Sequence, residues 1–208
     1  MSDDNKIEEE NNVLRLLKAG DDAAAARLIE VFGDRVYGLC TRILGSEEDA
    51  QEVAQETFLQ VWRKWPTFKE QSKFSSWIYR IAANFAYMKL RKKKRLRNEI
   101  SYDQVNNDSD KYNENLLNII ASDQLSPAEI LANKELQELF DDCVKLLPDI
   151  YRTAYVLKDI EGLSVKEISD VMTISDSAVK SRVHRARLEM RNMLSDTIQK
   201  HGIKEQRK

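Results

Sequence analysis

The run LSVKEISDVMTISDSAVKSRVHRARLEMRNML, from Leu163 to Leu194, leaves little local choice: a helix, a tight turn and a second helix. On the second segment Val179, Val183, Ala186, Met190 and Leu194 recur at helical spacing and make an apolar stripe. At about 100° per residue, Ser177, Lys180, Ser181, His184 and Arg185 fall on the side away from that stripe. One side belongs in a core. The other offers hydroxyls and cations, the donors that suit base edges and phosphates. The residues between the segments, Thr173, Ile174 and Ser175, match the turn length of helix-turn-helix units.

A solvated charged face would satisfy the stripe equally well. The outer face, however, lacks Glu at its centre and mixes hydroxyls with cations. A recognition helix places its N-terminal part in the major groove of DNA. There Lys180 and Arg185 can donate to guanine, and Ser181 can pair with several bases. Arg182 and Arg187 flank the face and suit phosphates. His184 reads either as a base contact or as a surface residue.

The rest of the chain is also helical in pattern. Six glycines and three prolines in 208 residues argue against a sandwich or barrel. The expected class is all-α: two small helical domains joined by a flexible acidic linker, the C-terminal one carrying the helix-turn-helix. The expected boundaries are a disordered acidic tail (1–12), a first domain (13–97), the linker (98–125), a second domain (126–197) and a basic tail (198–208). In the first domain one helix is expected from about Asp21 to Leu44, broken near Gly33, with Leu28, Ile29, Phe32, Val36, Cys40, Ile43 and Leu44 inward. Gly45 stops it and Ser46 caps the next helix, whose Glu47, Glu48 and Asp49 suit its positive end. That helix carries Val53, Thr57, Phe58, Val61 and Trp62 inward and stops before Pro66. A loop leads to a third helix, about Ser75 to Arg97, with Trp77, Ile78, Ile81, Phe85 and Met88 as its core face. In the linker Leu116, Leu117, Ile119 and Ile120 form a short sticky segment. Ser126-Pro127-Ala128-Glu129 and Ser164 with Glu167 read as capping boxes.

Cys40 and Cys143 each sit in an apolar helical pattern, as small core residues rather than a disulfide or metal pair. No cofactor or metal is expected, and no Gly-rich phosphate loop or nucleophile–base pair suggests catalysis. With no signal peptide and no apolar run near 18 residues, the expected location is the cytoplasm, without membrane insertion.

The net charge of −2 conceals strong segregation. Trp77 to Arg97 holds eight Lys/Arg and no acid; Asp176 to Lys208 holds nine against four. Between them, Asn98 to Leu147 holds eleven acids against three lysines. The run Lys89 to Arg97 has seven cations in nine residues, more than a helix C-terminus needs, and reads as a phosphate-binding strip. Trp62, Trp65, Phe68, Phe74, Trp77 and Tyr87 lie nearby. Most are expected in the core, with one or two free to stack on unpaired bases. The helix from Glu47 shows an acid and amide face of Glu48, Glu52, Gln55 and Glu56, either a solubilising surface or a protein-docking one.

In this order the segments resemble an alternative sigma factor of bacterial RNA polymerase, of the extracytoplasmic-function (ECF) group of the sigma-70 family. DAQEVAQETFLQVWRKWPTF (Asp49 to Phe68) is similar to the region that docks on the polymerase clamp helices. FSSWIYRIAANFAYMKLRKKKR (Phe74 to Arg95) is similar to the regions that melt and read the minus-10 element. Leu147 to Leu194 is similar to the domain that reads the minus-35 element. The resemblance implies contacts with core RNA polymerase at Asp49, Glu52, Gln55, Glu56 and Phe58, the last with a structural role as an alternative. It implies single-stranded minus-10 DNA at Lys69, Lys73, Arg80, Asn84, Tyr87 and Arg91, with the loop Lys69 to Lys73 forming a pocket for a captured base. It implies double-stranded minus-35 DNA at Ser177, Lys180, Ser181, Arg182, His184, Arg185 and Arg187. Glu52 stands where the family usually has Asp, and Met88 stands where it has Asp, which removes a polar group from that helix. The acidic linker would thread the polymerase's RNA-exit path, and an anti-sigma factor is an implied partner. The alternative function is a conventional helix-turn-helix regulator that binds operator DNA without polymerase, normally as a dimer.

Overall fold

The computed structural model describes the backbone of residues 3–98 and 134–200 and the side chains of residues 8–96 and 138–195. The expected linker segment, the capping box at Ser126 and the tail beyond Lys200 lie outside the described residues.

The N-terminal unit is built from α1 (Asp3–Ala19), α2 (Ala24–Leu44), α3 (Glu47–Lys64), a 3-10 turn (Trp65–Thr67) and α4 (Phe74–Asn98). The centre is α2, which packs against α1, α3 and α4. Its buried face is Leu28, Phe32, Val36, Leu39, Cys40 and Ile43, with no break at Gly33. The Phe32 ring meets Phe74 and Tyr79 edge-on, with centroids 5.8 and 6.5 Å away. Gly45 ends α2 at φ 65°, a left-handed position that glycine adopts without a Cβ penalty, and its N–H reaches the Thr41 carbonyl at 2.8 Å. Ser46 then caps α3, accepting from the Asp49 N–H.

Three further expectations about this unit fail for identifiable reasons. From Asp3 on, the acidic stretch is not a loose tail: α1 runs through it because Val13 and Leu17 are buried and anchor the helix on α2. Ile29 and Trp62 are exposed rather than inward, Trp62 by 44%. On α3 the buried line is Ala50, Val53, Ala54, Thr57 and Val61, and Trp62 points about 100° past Val61. On α4 the buried apolar residues are Phe74, Ile78, Tyr79, Ala82, Ala83, Ala86 and Leu90; Trp77, Ile81 and Phe85 are half-buried and Met88 is 65% exposed. The alanines let α4 lie close to its neighbours, which turns the larger residues toward the flanks.

The C-terminal unit comprises α5 (Lys134–Leu146), α6 (Asp149–Tyr155) continuing into one π-helical turn (Val156–Ile160), α7 (Val165–Met172) and α8 (Asp176–Lys200). The π turn is closed by the Glu161 N–H on the Val156 carbonyl at 3.0 Å. Gly162, at φ 72°, then lets Leu163 N–H return to the Leu157 carbonyl at 2.9 Å, as in a Schellman stop. The capping box of Ser164 and Glu167 is present in full. α8 lies across α5, α6 and α7, burying Val179, Val183, Ala186 and Met190.

The two units touch: α2 meets α5, α6 and the π turn, and α4 meets α7. Among the described residues no helix is long and apolar enough to cross a membrane. Both cysteines are buried and unbridged. Burial, and secondarily the charge of Glu161, pushes the Cys40 thiol up to about 12. Cys40 should therefore resist alkylation at pH 8 in the folded protein and react only as urea unfolds it, which mass spectrometry of labelled peptides would read. Phe32→Ala should cost about 3–5 kcal/mol in urea unfolding, because the ring fills space between α2 and α4.

Candidate nucleic-acid and protein interfaces

The turn before α8 does more than reverse the chain. Thr173 ends α7 at φ 56°, ψ 49°, an unusual left-handed position for a β-branched residue. Ser175 begins α8: its hydroxyl accepts from the Ala178 N–H at 3.2 Å and lies 2.9 Å from the Ser177 hydroxyl. Ser177 is thus held at the positive end of the helix, where anions are favoured. Ser177 and Lys180 are exposed, and Ser181 and His184 are half-buried, on the side opposite the buried stripe.

The arginines of this face are partly engaged within the unit. Arg185 Nη1 donates to the Tyr151 hydroxyl at 3.0 Å. Arg187 grips Asp159 with two nitrogens, at 2.9 and 2.5 Å. Arg182 is half-buried, and its Nη1 is buried without a hydrogen-bond partner among the described residues. Lys180 therefore reaches outward, while Arg185 and Arg187 lie back along the body of the unit. Tyr151 and Asp159, missed in the sequence, orient these arginines from residues 34 and 28 positions away. Tyr155, beside Asp159, is pushed up to about 12 by burial first and by that carboxylate second.

The second basic surface starts at the loop before α4. Lys69 and Lys73 are exposed there, and Glu70 between them has φ 56° and pairs with Lys18 of α1 at 2.5 Å. Glu10 of α1 accepts the Ser75 N–H at 3.3 Å, so α1 props both the loop and the start of α4. Beneath the loop Phe68, Phe74 and Trp77 pack with centroids 5.1–5.6 Å apart. Asn84 is exposed and bonds back to the Arg80 carbonyl at 2.9 Å. Two turns on from Asn84, Arg91 lies 6.0 Å over the half-buried Tyr87 ring. Arg80 instead points to the C-terminal unit, 3.7 Å from Glu167.

The seven-cation run divides. Lys89 and Lys93 turn back to α3, where Lys93 meets Asp49 and Lys89 meets both Glu52 and, at 3.4 Å, Asp49. Arg91, Lys92, Lys94 and Arg95 remain exposed. Asp49 is buried by these contacts, so its carboxylate ties α3 to α4. Glu52, Gln55 and Glu56 are exposed, whereas Phe58 is half-buried against the core. Leu59, 57% exposed, continues the outward face four residues after Gln55, and Trp62 follows three residues after Leu59. The sequence signal for both was present: apolar residues at helical spacing on the acidic side.

Residues 28–96 match the family description "Sigma-70 region 2", and residues 137–190 match "Sigma-70, region 4". The chain is 33% identical over 186 residues to the ECF RNA polymerase sigma factor SigW of Bacillus subtilis, an alignment covering 88% of this chain and 95% of that protein. It is 31% identical to the ECF RNA polymerase sigma-E factor of Haemophilus influenzae, covering 86% and 91%. In fold it is similar to the sigma factor RpoE of Bartonella quintana, solved with the anti-sigma factor NepR: TM-score 0.54, 17% identity, 83% of this chain and 98% of that one. It is also similar to CnrH, solved with the cytosolic domain of CnrY: TM-score 0.53, 20% identity, 90% and 98%. With the region 2 and region 4 matches in order and relatives aligned over almost their full length, the chain belongs to the ECF group of sigma-70 RNA polymerase sigma factors.

Proposed function

We infer that this chain binds core RNA polymerase and directs it to promoters through a minus-10 and a minus-35 element. The observation that carries this most directly is the recognition helix α8. It is fixed by four buried side chains and presents Ser177, Lys180, Ser181 and His184 on the opposite side, in a unit matching region 4. That geometry suits the major groove of duplex minus-35 DNA, with Arg182, Arg185 and Arg187 reaching phosphates once released from their own contacts.

The loop with Lys69 and Lys73, followed by Asn84, Tyr87 and Arg91 on α4, suits a single strand at minus-10. Extruding a base costs a few kcal/mol, which the aromatic floor and phosphate pairs would offset. Arg80 joins this face when it leaves Glu167. The outward side of α3, with Glu52, Gln55, Glu56, Leu59 and Trp62, is the docking surface for the polymerase clamp helices; Asp49 and Phe58 support it from inside. The role calls for no bond chemistry by the chain itself and places it in the cytoplasm. An anti-sigma factor is the inhibitory partner such a protein would have.

Run-off transcription with purified core polymerase on genomic promoter fragments tests this reading. The chain should confer initiation at discrete starts that core alone does not use. No gain on any fragment, together with a footprint on a palindrome by the chain alone, would instead identify an operator-binding regulator. Lys180→Ala and Ser181→Ala should each weaken minus-35-dependent transcription by about 1–3 kcal/mol, roughly 5- to 150-fold, without loss of core binding. Leu59→Ala should lower core affinity while leaving unfolding within about 0.5 kcal/mol of wild type. Asp49→Asn should cost about 1–3 kcal/mol of stability through its lysine contacts, read by urea unfolding.

A further inference from the structure

The loop from Lys69 to Lys73 has little of its own to hold it. All five residues are exposed, so packing does not fix their backbone. The described backbone bonds bound the loop: Phe68 N–H reaches the Trp65 carbonyl at 2.9 Å, and Trp77 N–H reaches the Lys73 carbonyl at 3.2 Å. Phe68 and Phe74, with ring centroids 5.1 Å apart, pin the two ends together. Between them Glu70 takes φ 56°, a left-handed position that is unfavourable for a residue with a Cβ and persists only where the surroundings hold it.

Helix α1 supplies the holding contacts. Glu10, Val13, Leu17 and Lys18 recur at i, i+3, i+7 and i+8 and share one face. Val13 and Leu17 are buried and fix that face on the unit. Glu9 meets Arg27 of α2 at 3.7 Å, which sets the register of the two helices. The two polar members of the face then reach the loop. Lys18 pairs with Glu70 at 2.5 Å. Glu10 accepts the Ser75 N–H at 3.3 Å, a first-turn donor of α4 that no carbonyl within the helix can take. Its carboxylate also faces the positive end of α4. Along α1 the two residues are about 12 Å apart, at ~1.5 Å per residue. One holds the loop at its strained residue; the other holds the helix start where the loop ends.

We propose that Glu10 and Lys18 are positioning residues for minus-10 recognition: α1 is a splint that keeps the loop Lys69 to Lys73 in the shape that receives the extruded base. The proposal rests on the sigma-factor reading above. α1 precedes residues 28–96, the span that matches region 2. Neither residue touches DNA in this scheme; each acts through the loop. The Lys18–Glu70 pair is exposed on both sides, so it contributes little to folding. Its effect is on which loop conformation is populated. A loop that has lost the pocket still attracts phosphates through Lys69 and Lys73, and phosphate contacts carry no sequence information. Misplacing the loop therefore lowers base selectivity first. A smaller folded fraction, by contrast, lowers transcription from every template alike.

The test uses the full chain with core polymerase on a promoter active in the run-off assay, in versions that carry each base in turn at each minus-10 position. The readout is the ratio of initiation rates between the preferred base and the next best. Lys18→Glu should lower that ratio about 3- to 10-fold at the captured base. Minus-35 dependence and core affinity should stay as in wild type. Lys18→Glu with Glu70→Lys rebuilds the pair with its charges exchanged and should recover most of the ratio. Glu10→Ala should lower the ratio at the same position, and Glu10→Gln, which keeps an acceptor oxygen, should recover part of it. Urea unfolding of each variant reads its folded fraction. An unchanged ratio in either Lys18→Glu or Glu10→Ala would overturn the splint, as would a loss in Lys18→Glu that the exchanged pair does not recover. Equal loss at every minus-10 position and in minus-35 dependence would overturn it too, marking a structural role only. Absence of transcription by the wild type from every fragment sinks the sigma-factor reading and the splint with it, whereas normal transcription with unchanged ratios in the variants sinks the splint alone.

Discussion

The guanidinium of Arg152 terminates two helices at once. Nη1 donates to the Lys145 carbonyl at the end of α5, and Nη2 donates to the Ile43 carbonyl at the end of α2 and to Asp149. Helix C-termini leave carbonyls without internal partners and carry partial negative charge. A buried cation is costly unless such groups surround it. Here the two terminal nitrogens and the helix-end carbonyls answer each other, while Nε is buried without a hydrogen-bond partner among the described residues; the residue is only 7% exposed. The position of α6 against α2 follows from this arrangement, and with it the placement of the π turn, α7 and α8. A lysine could not reproduce it, because one ammonium cannot present a planar fork to two carbonyls.

Local rules made much of the fold legible. Gly45, Ser46 and the Ser164–Glu167 box bounded helices because they answer a need of the helix ends that any neighbour would share. The stripe of α8 was legible because its residues lie within a narrow arc and face three other helices; four of the five are buried and Leu194, the last, is half-buried. Flanking positions were not. Trp62, Ile29 and Met88 lie at the margins of their apolar arcs, where burial depends on whether another helix happens to cover them. The docking of α1 was missed for a related reason: its acidic half drew the eye, while a few apolar residues at its other end decided the outcome.

The candidate sites divide in the same way. Which side of α8 faces outward could be read from spacing. That Arg187 would be held by Asp159, Arg185 by Tyr151, and Lys89 and Lys93 by Asp49 could not, because those partners come from other helices. Charge segregation along the chain was real, but a basic run in sequence is not a basic surface in space. Part of it is neutralised at home, leaving Arg91, Lys92, Lys94 and Arg95 exposed.

The π turn from Val156 to Ile160 adds one residue to a helical turn and so rotates everything after it relative to α6. Asp159, inside the turn, goes to α8, and Glu161, the residue just after it, goes to the N-terminal unit. Phase is therefore a shared quantity for two otherwise separate contacts. Removing the extra residue would restore a regular α-helix and turn both carboxylates by about 100° together. A stretch of three residues, Asp159 to Glu161, thus has little room to drift: substitutions that keep the count can tune either contact alone, but a change of length alters both in one step.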